Sequence, residues 1–190
     1  MNRTLVATAA FWLLGILAPI TWAATPAEER AEIVKMRNET LARLYKVHPA
    51  AKGNLQKAYG YAVFSNVGVN LIFLSAAAGS GVAHNNRTAR DVYMKMVSGG
   101  IGLGLGVKDF RGVFVFRTQD AFDGFVDSGW EAGAHADAVA KTSSKGGAAE
   151  GAITVAPGVD LYQLTEAGLA LEATIQGTKY YKNDELNAAK

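Results

Sequence analysis

Residues 58–65, AYGYAVFS, decide the fold because the spacing of the apolar residues changes within them. Before Gly60 the apolar residues recur every three or four positions, as they do on one face of a helix. From Tyr61 onward they occur in short runs with the two-residue period of strands, separated by glycine or polar turns. Because the connections between the first runs are too short for crossover helices, the sheet is predicted to be largely antiparallel.

The sequence before Gly60 predicts two helices. Thr25, Pro26 and Glu28 have the pattern of a helix start, with a threonine cap, a proline in the first turn and a glutamate that closes a capping box. An amphipathic helix of about five turns is expected from there, ending at residues 48–49 (His-Pro). A short second helix is expected over 50–58.

The sequence from about Gly60 onward predicts a series of strands and one further helix. The strands are predicted over 59–65, 69–76, 81–84, 92–98, 101–107, 113–117, 153–155, 159–164 and 169–175. The helix is predicted over 118–130, and 179–184 is predicted to be a closing surface segment. The fold class that follows is α+β, in which a curved, largely antiparallel, glycine-rich sheet packs with N-terminal helices and one further helix.

The first 23 residues are typical of an export signal. Arg3 precedes an uncharged stretch whose apolar centre, 5–18, is about 14 residues long, which suits a signal peptide better than a membrane span of about 20. The small residues Thr21 and Ala23 predict cleavage after Ala23, and the alternative is an uncleaved anchor. We therefore expect a single exported domain over 24–190, periplasmic or associated with the cell envelope.

The composition narrows the classes of function. Lys and Arg total 19 against 17 for Asp and Glu, and a net charge of only +2 excludes a polybasic nucleic-acid binder. The apolar fraction of 49% is ample for a packed core and excludes a disordered chain. The absence of cysteine excludes disulfides, thiolate metal sites and cysteine nucleophiles. Glycine is the outlier, at about 11% against a usual level of about 7%.

The glycines are most concentrated at 99–106, GGIGLGLG. The run lacks the spacing of glycines that a dinucleotide-binding turn requires, and no P-loop sequence occurs. In a strand, its alternation would place four glycines on one side: Gly100, Gly102, Gly104 and Gly106. A strand side without side chains favours the close approach of another surface. That surface is either the protein's own, which we favour, or an acyl chain in a groove.

The sequence contains no recognisable pattern of catalytic or metal-binding residues. His48, His84 and His135 are far apart, and no serine lies in a Gly-x-Ser-x-Gly elbow. Three aspartates in the predicted 118–130 helix are interpreted as its solvated face: Asp120, Asp123 and Asp127. We therefore predict a protein that is not an enzyme and that uses no cofactor or metal.

Five motifs follow one another in a characteristic order. They are 58–68 (AYGYAVFSNVG), 79–82 (GSGV), 98–106 (SGGIGLGLG), 113–118 (VFVFRT) together with 122–130, and Tyr162 together with 168–173. In this order they resemble the SYLF domain family, which is named for lipid-binding domains and is also described from yeast actin-binding proteins. The resemblance covers about residues 24–187. It departs from the family at Ser65, where proline is usual, and at Leu105, where glutamine is common.

The resemblance implies non-enzymatic binding of lipid, phospholipid or a membrane surface in the cell envelope. Actin is not the partner expected of an exported protein, and neither is nucleic acid. Lys95, Lys108, Phe110 and Arg111 are the candidate lipid-binding residues, because cations beside an aromatic ring suit a membrane interface. One alternative is a structural or protein-interaction domain of the periplasm. Another is a small outer-membrane β-barrel, although the amphipathic N-terminal helix has no place in a barrel wall.

Overall fold

A computed structural model describes residues 24–66, 76–99, 111–132, 151–165, 168–170 and 177–188. Several predictions lie outside these residues, namely the signal peptide over 1–23, all but the last residue of the strand predicted over 69–76, and the glycine strand with Gly100, Gly102, Gly104 and Gly106. The candidate residues Lys108 and Phe110 also lie outside them. Within the described ranges, no helix is both long enough and apolar enough to cross a membrane.

The N-terminal helices form where the sequence predicts them. Helix α1 spans Pro26–Val47 and begins with the expected capping box. The Thr25 hydroxyl accepts a hydrogen bond from the Glu28 backbone N–H at 3.3 Å, and the Glu28 carboxylate accepts one from the Thr25 backbone N–H at 2.8 Å. The bonds from the Thr25 backbone and hydroxyl hold the pKa of Glu28 below its ordinary value. Helix α2 follows over Ala50–Lys57.

The described strands form one antiparallel sheet of nine strands. Their bounds are β1 Gly60–Ser65, β2 Ala76–Asn85, β3 Arg90–Gly99, β4 Arg111–Phe116, β5 Trp130–Ala132, β6 Ile153–Ala156, β7 Val159–Thr165, β8 Gly168–Ala170 and β9 Thr178–Lys182. In space the order is β5-β9-β3-β2-β1-β4-β7-β6, and β8 pairs with the same edge of β7 as β6 does. The predicted α+β class with a curved antiparallel sheet is confirmed.

The two sides of the sheet bury different cores because side chains alternate along each strand. The aromatic side is covered by helix α3 (Gln119–Asp123) and a π-helical turn (Gly124–Ser128). The buried aromatic rings of that side are Phe64, Phe114, Phe116, Phe122, Phe125 and Tyr180. The helix side is covered by α1 and α2, and its larger buried residues are Leu41, Leu44, Leu55, Val63, Val113, Val115, Tyr162 and Leu164.

Helix α1 crosses the sheet and is fastened along its length by three arginines. Arg30 Nη1 donates to the carbonyl oxygen of Leu186, in the last helix, α4 (Asp184–Ala188), at 3.0 Å. Arg37 Nη1 donates to the Asp91 carboxylate on β3 at 2.9 Å. Arg43 donates to the carbonyl oxygen of Thr165 at the end of β7. The helix is therefore fixed to elements that lie far from it in the sequence.

Two predictions near the ends of elements are wrong. Residues 179–184 do not form a surface segment. Instead most of them belong to β9, which lies between β3 and β5, and Tyr180 is fully buried on the aromatic side. The helix predicted over 118–130 ends at Ser128, and Trp130 begins β5. Asp120 and Asp127 are exposed and Asp123 is half-buried, in accord with a solvated face.

The break predicted before Gly81 is also absent, because β2 is continuous from Ala76 to Asn85. Glycine within a strand is used here for packing. A Cβ atom added at Gly79 would lie 2.5 Å from the terminal methyl of Met96, and one added at Gly81 would overlap the Phe64 ring. In β2 the side chains and backbone of the neighbouring strands therefore fill the space that the glycines leave.

Candidate functional site

The structure places the two described candidate residues, Lys95 and Arg111, in one row across the helix side of the sheet. Lys95 lies opposite Ser80, Ser80 opposite Ser65, and Ser65 opposite Arg111. The backbones of Lys95 and Arg111 are therefore three strand spacings apart, a distance of about 14 Å. Lys95 forms an ion pair with Glu185 at 3.5 Å. The row therefore does not bring these two cations together around one phosphate group.

Unpaired cations occur on a different surface. Between Glu39 and Asp91 the sequence contains no acidic residue. The described part of this stretch contains five exposed cations, and none of them forms an ion pair with another described residue. We call them the cationic surface: Lys46, Lys52, Lys57, Arg87 and Arg90.

Three elements position the cationic surface, namely the end of α1, the whole of α2 and the turn between β2 and β3. Asn86 in that turn fastens it to α2, because its side-chain amide donates to the carbonyl oxygens of Leu55 at 2.7 Å and Ala58 at 3.1 Å. The turn thus rests on the C-terminal end of α2, which brings Arg87 to the same end as Lys57. Helix α2 itself is only about 12 Å long.

The opposite end of the cationic surface carries an exposed apolar residue. Val47, the last residue of α1, is 45% exposed, the largest value among the large hydrophobic residues of the described ranges. It directly follows Lys46, and Pro49 and Ala50 beyond it are exposed as well. His48 turns inward, where its ring lies 5.7 Å from that of Tyr162. The corner between α1 and α2 is therefore an apolar tip beside cations.

An ionic cluster lies between α1 and the sheet. The two carboxylate oxygens of Asp91 lie 2.9 Å from Arg37 Nη1 and 2.6 Å from His84 Nδ1. The His84 ring lies 5.2 Å from the Tyr61 ring. Burial raises the pKa of Tyr61, an effect that Arg37 opposes and Asp91 reinforces. The cluster fixes α1 to β2 and β3, and its members lie within the fold rather than on the cationic surface.

Sequence reasoning missed both of these features. The hairpin register places His84 opposite Asp91, so a histidine that is isolated in the sequence has a charged partner. The absence of acids between Glu39 and Asp91 was visible in the sequence and would have indicated the cationic surface. In the part of the chain that the structure describes, no group of three His, Cys, Asp or Glu side chains is arranged to hold a metal ion.

Comparison with known proteins identifies a relative of this chain. No family model matches the chain. The chain is 39% identical, over 162 residues, to Beta cell expansion factor A of Aeromonas veronii. The match covers 85% of this chain and 60% of that protein, so the chain spans about three fifths of the relative's length.

Proposed function

We propose that this protein binds anionic lipid at a membrane surface through the cationic surface, without catalysing a reaction. The observation that carries the proposal is the group of five exposed cations without an acidic partner in the described chain. The whole sequence is nearly balanced, with 19 basic and 17 acidic residues, so the two signs are segregated rather than simply unequal in number. A surface of one sign attracts partners of the other sign. The resemblance to lipid-binding SYLF domains supports the same partner.

The number of cations sets the expected strength of binding. Each Lys or Arg close to an anionic membrane contributes about 1 kcal/mol, so five contribute about 5 kcal/mol. That corresponds to a dissociation constant of roughly 0.2 mM, which is weak and reversible. Salt shortens the range of these interactions to about 10 Å at 0.1 M and about 3 Å at 1 M. We therefore expect binding to anionic vesicles that decreases steeply as salt is added.

Flotation with liposomes tests the proposal. The protein over 24–190 should float with vesicles of phosphatidylcholine and phosphatidylserine at low salt, but not with phosphatidylcholine alone. The triple variant Lys46→Glu/Lys52→Glu/Lys57→Glu should lose flotation. The matched control is Lys35→Glu/Lys179→Glu/Lys182→Glu, which changes the net charge equally at exposed lysines outside the cationic surface. The control should still float.

Each other result has a distinct meaning. Equal losses in both triple variants would show that net charge, and not the cationic surface, governs binding. A loss confined to the double variant Lys108→Glu/Arg111→Glu would transfer the site to the residues predicted from the sequence. If the unmodified protein floats with neither kind of vesicle, lipid binding is wrong, and the alternative of a protein partner takes its place.

A further inference from the structure

We infer that the corner between α1 and α2 is the part of the protein that contacts the membrane, and that the side chain of Val47 enters the bilayer interface. This inference rests on the proposed lipid binding and adds the orientation of the bound protein. In this orientation Val47 lies deeper in the bilayer interface than the lysine ammonium groups of the cationic surface. The partner is an anionic bilayer, whose negative headgroups complement the exposed lysines and whose acyl chains accept the Val47 side chain.

The shape of the chain at this corner exposes the apolar tip. Helix α1 ends at Val47, and the His48 backbone N–H still donates to the carbonyl oxygen of Leu44 at 2.7 Å. Ala51 then donates back to the carbonyl oxygen of His48 at 3.1 Å, so the next helix begins at once. The corner is therefore tight, and because the His48 ring packs inward, the exposed side chains at the tip are the short apolar ones of Val47, Pro49 and Ala50.

The charges around the tip suit a bilayer. Lys46 and Lys52 are both exposed and stand in the sequence on either side of the tip. Lysine has a long aliphatic stem that lies along apolar surroundings while its ammonium group stays with polar groups. With Val47 in the interface, both ammonium groups can therefore remain at the level of the phosphates. Burying the apolar tip adds a contribution that does not weaken with salt.

Tyr181 provides a matched control within the same chain. It is the other exposed large hydrophobic residue of the described ranges, at 38%. Lys95 lies opposite it on β3, and Lys179 and Lys182 lie beside it on β9. Those cations have acidic neighbours, because Lys95 contacts Glu185 at 3.5 Å, Lys182 contacts Asp127 at 3.8 Å, and Lys179 lies opposite Glu131 on β5. Exposure is therefore similar at the two positions, whereas the local excess of positive charge is present only at Val47.

The absence of cysteine makes the test direct, since a single introduced cysteine is the only site of thiol labelling. Val47→Cys and Tyr181→Cys are each labelled with the fluorophore NBD, which brightens in an apolar environment. They are mixed with vesicles of equal parts phosphatidylcholine and phosphatidylserine. We expect NBD fluorescence to rise several-fold at position 47 and nitroxide-labelled lipid to quench it. The label at position 181 should change little.

Flotation of the same labelled samples separates the two levels of the proposal. If both proteins float but the label at 47 stays unquenched, or both labels respond equally, the orientation is wrong while lipid binding stands. If neither floats, the proposed function itself is wrong. Unlabelled Val47→Asp and Tyr181→Asp exclude an effect of the fluorophore, because only Val47→Asp should weaken flotation. Equal flotation of these two variants would also overturn the orientation.

Discussion

Replacing Gly81 with alanine should destabilise the protein because β2 has no room for a side chain there. A Cβ atom at this position would lie 2.5 Å from the carbonyl oxygen of Val63 and still closer to Cδ1 of Phe64. Ordinary van der Waals contacts of a Cβ atom are 3.4–4 Å. The new methyl group would therefore be about 1 Å too close to two different parts of β1.

Neither part of β1 can easily move away. The Val63 oxygen belongs to the backbone of a strand that is paired on both sides, with β2 and with β4. The Phe64 ring is fully buried, with its centroid 4.7 Å from that of Tyr180 and 5.9 Å from that of Phe114. Overpacking of this kind costs about 1–3 kcal/mol. At about 2–4 °C per kcal/mol for a domain of this size, the melting temperature should fall by about 2–12 °C.

The control is Gly53→Ala in helix α2, because an added Cβ atom there meets nothing within 4 Å. Alanine is the better helix former, so this variant should gain about 0.5–1 kcal/mol. Urea titration and thermal melts followed by circular dichroism measure both changes. A Gly81→Ala protein as stable as the unmodified one would refute the packing argument. If Gly53→Ala lost a similar amount of stability, the loss would be a general effect of replacing glycine and not of the contacts at Gly81.

Three further predictions concern export, pH and the ionic cluster. The mass of the exported protein should correspond to Ala24–Lys190, whereas a full-length product in the membrane fraction would support an uncleaved anchor. Burial raises the pKa of Tyr180, so the stability held by its neutral phenol is present below the ordinary tyrosine pKa of about 10 and is lost as the pH rises further. Tyr180→Phe should therefore unfold at a higher pH than the unmodified protein, and an unchanged alkaline midpoint by circular dichroism would contradict this. Asp91→Asn removes the carboxylate that Arg37 contacts and should cost about 1–3 kcal/mol in urea titration while leaving flotation intact. Lost flotation of the folded variant would place the cluster in the lipid site.

The parts of the fold that the sequence predicted depend on neighbours within a few residues. Thr25 and Glu28 specify the start of α1 by bonding each other, and Pro49 follows its end, so both bounds could be predicted. The bounds of strands β1, β3, β4 and β7 were predicted to within about two residues, because alternation and polar turns are local signals. The class of the fold followed from these elements.

The parts that could not be predicted depend on pairing between distant segments. In the segment around Tyr180 the two tyrosines look alike, and only pairing with β3 and β5 buries one and exposes the other. The same holds for the candidate site. Arg43 lies in the acid-free stretch, but its guanidinium donates to the Thr165 carbonyl oxygen, whereas Lys46, three residues later, forms no ion pair with any residue that the structure describes. The sequence counts both as cations and cannot distinguish their surroundings.

The three arginines that fasten α1 form contacts of very long range in the sequence. Their hydrogen bonds join residues that are 156, 54 and 122 positions apart in the sequence. Contacts of such long range form slowly, because a large loop must close before any of them stabilises the chain. Synthesis produces α1 before the sheet, and Leu186 follows Arg30 by 156 residues. The hydrogen bond that fixes the first turns of α1 to α4 therefore forms only after every described strand of the sheet has been made.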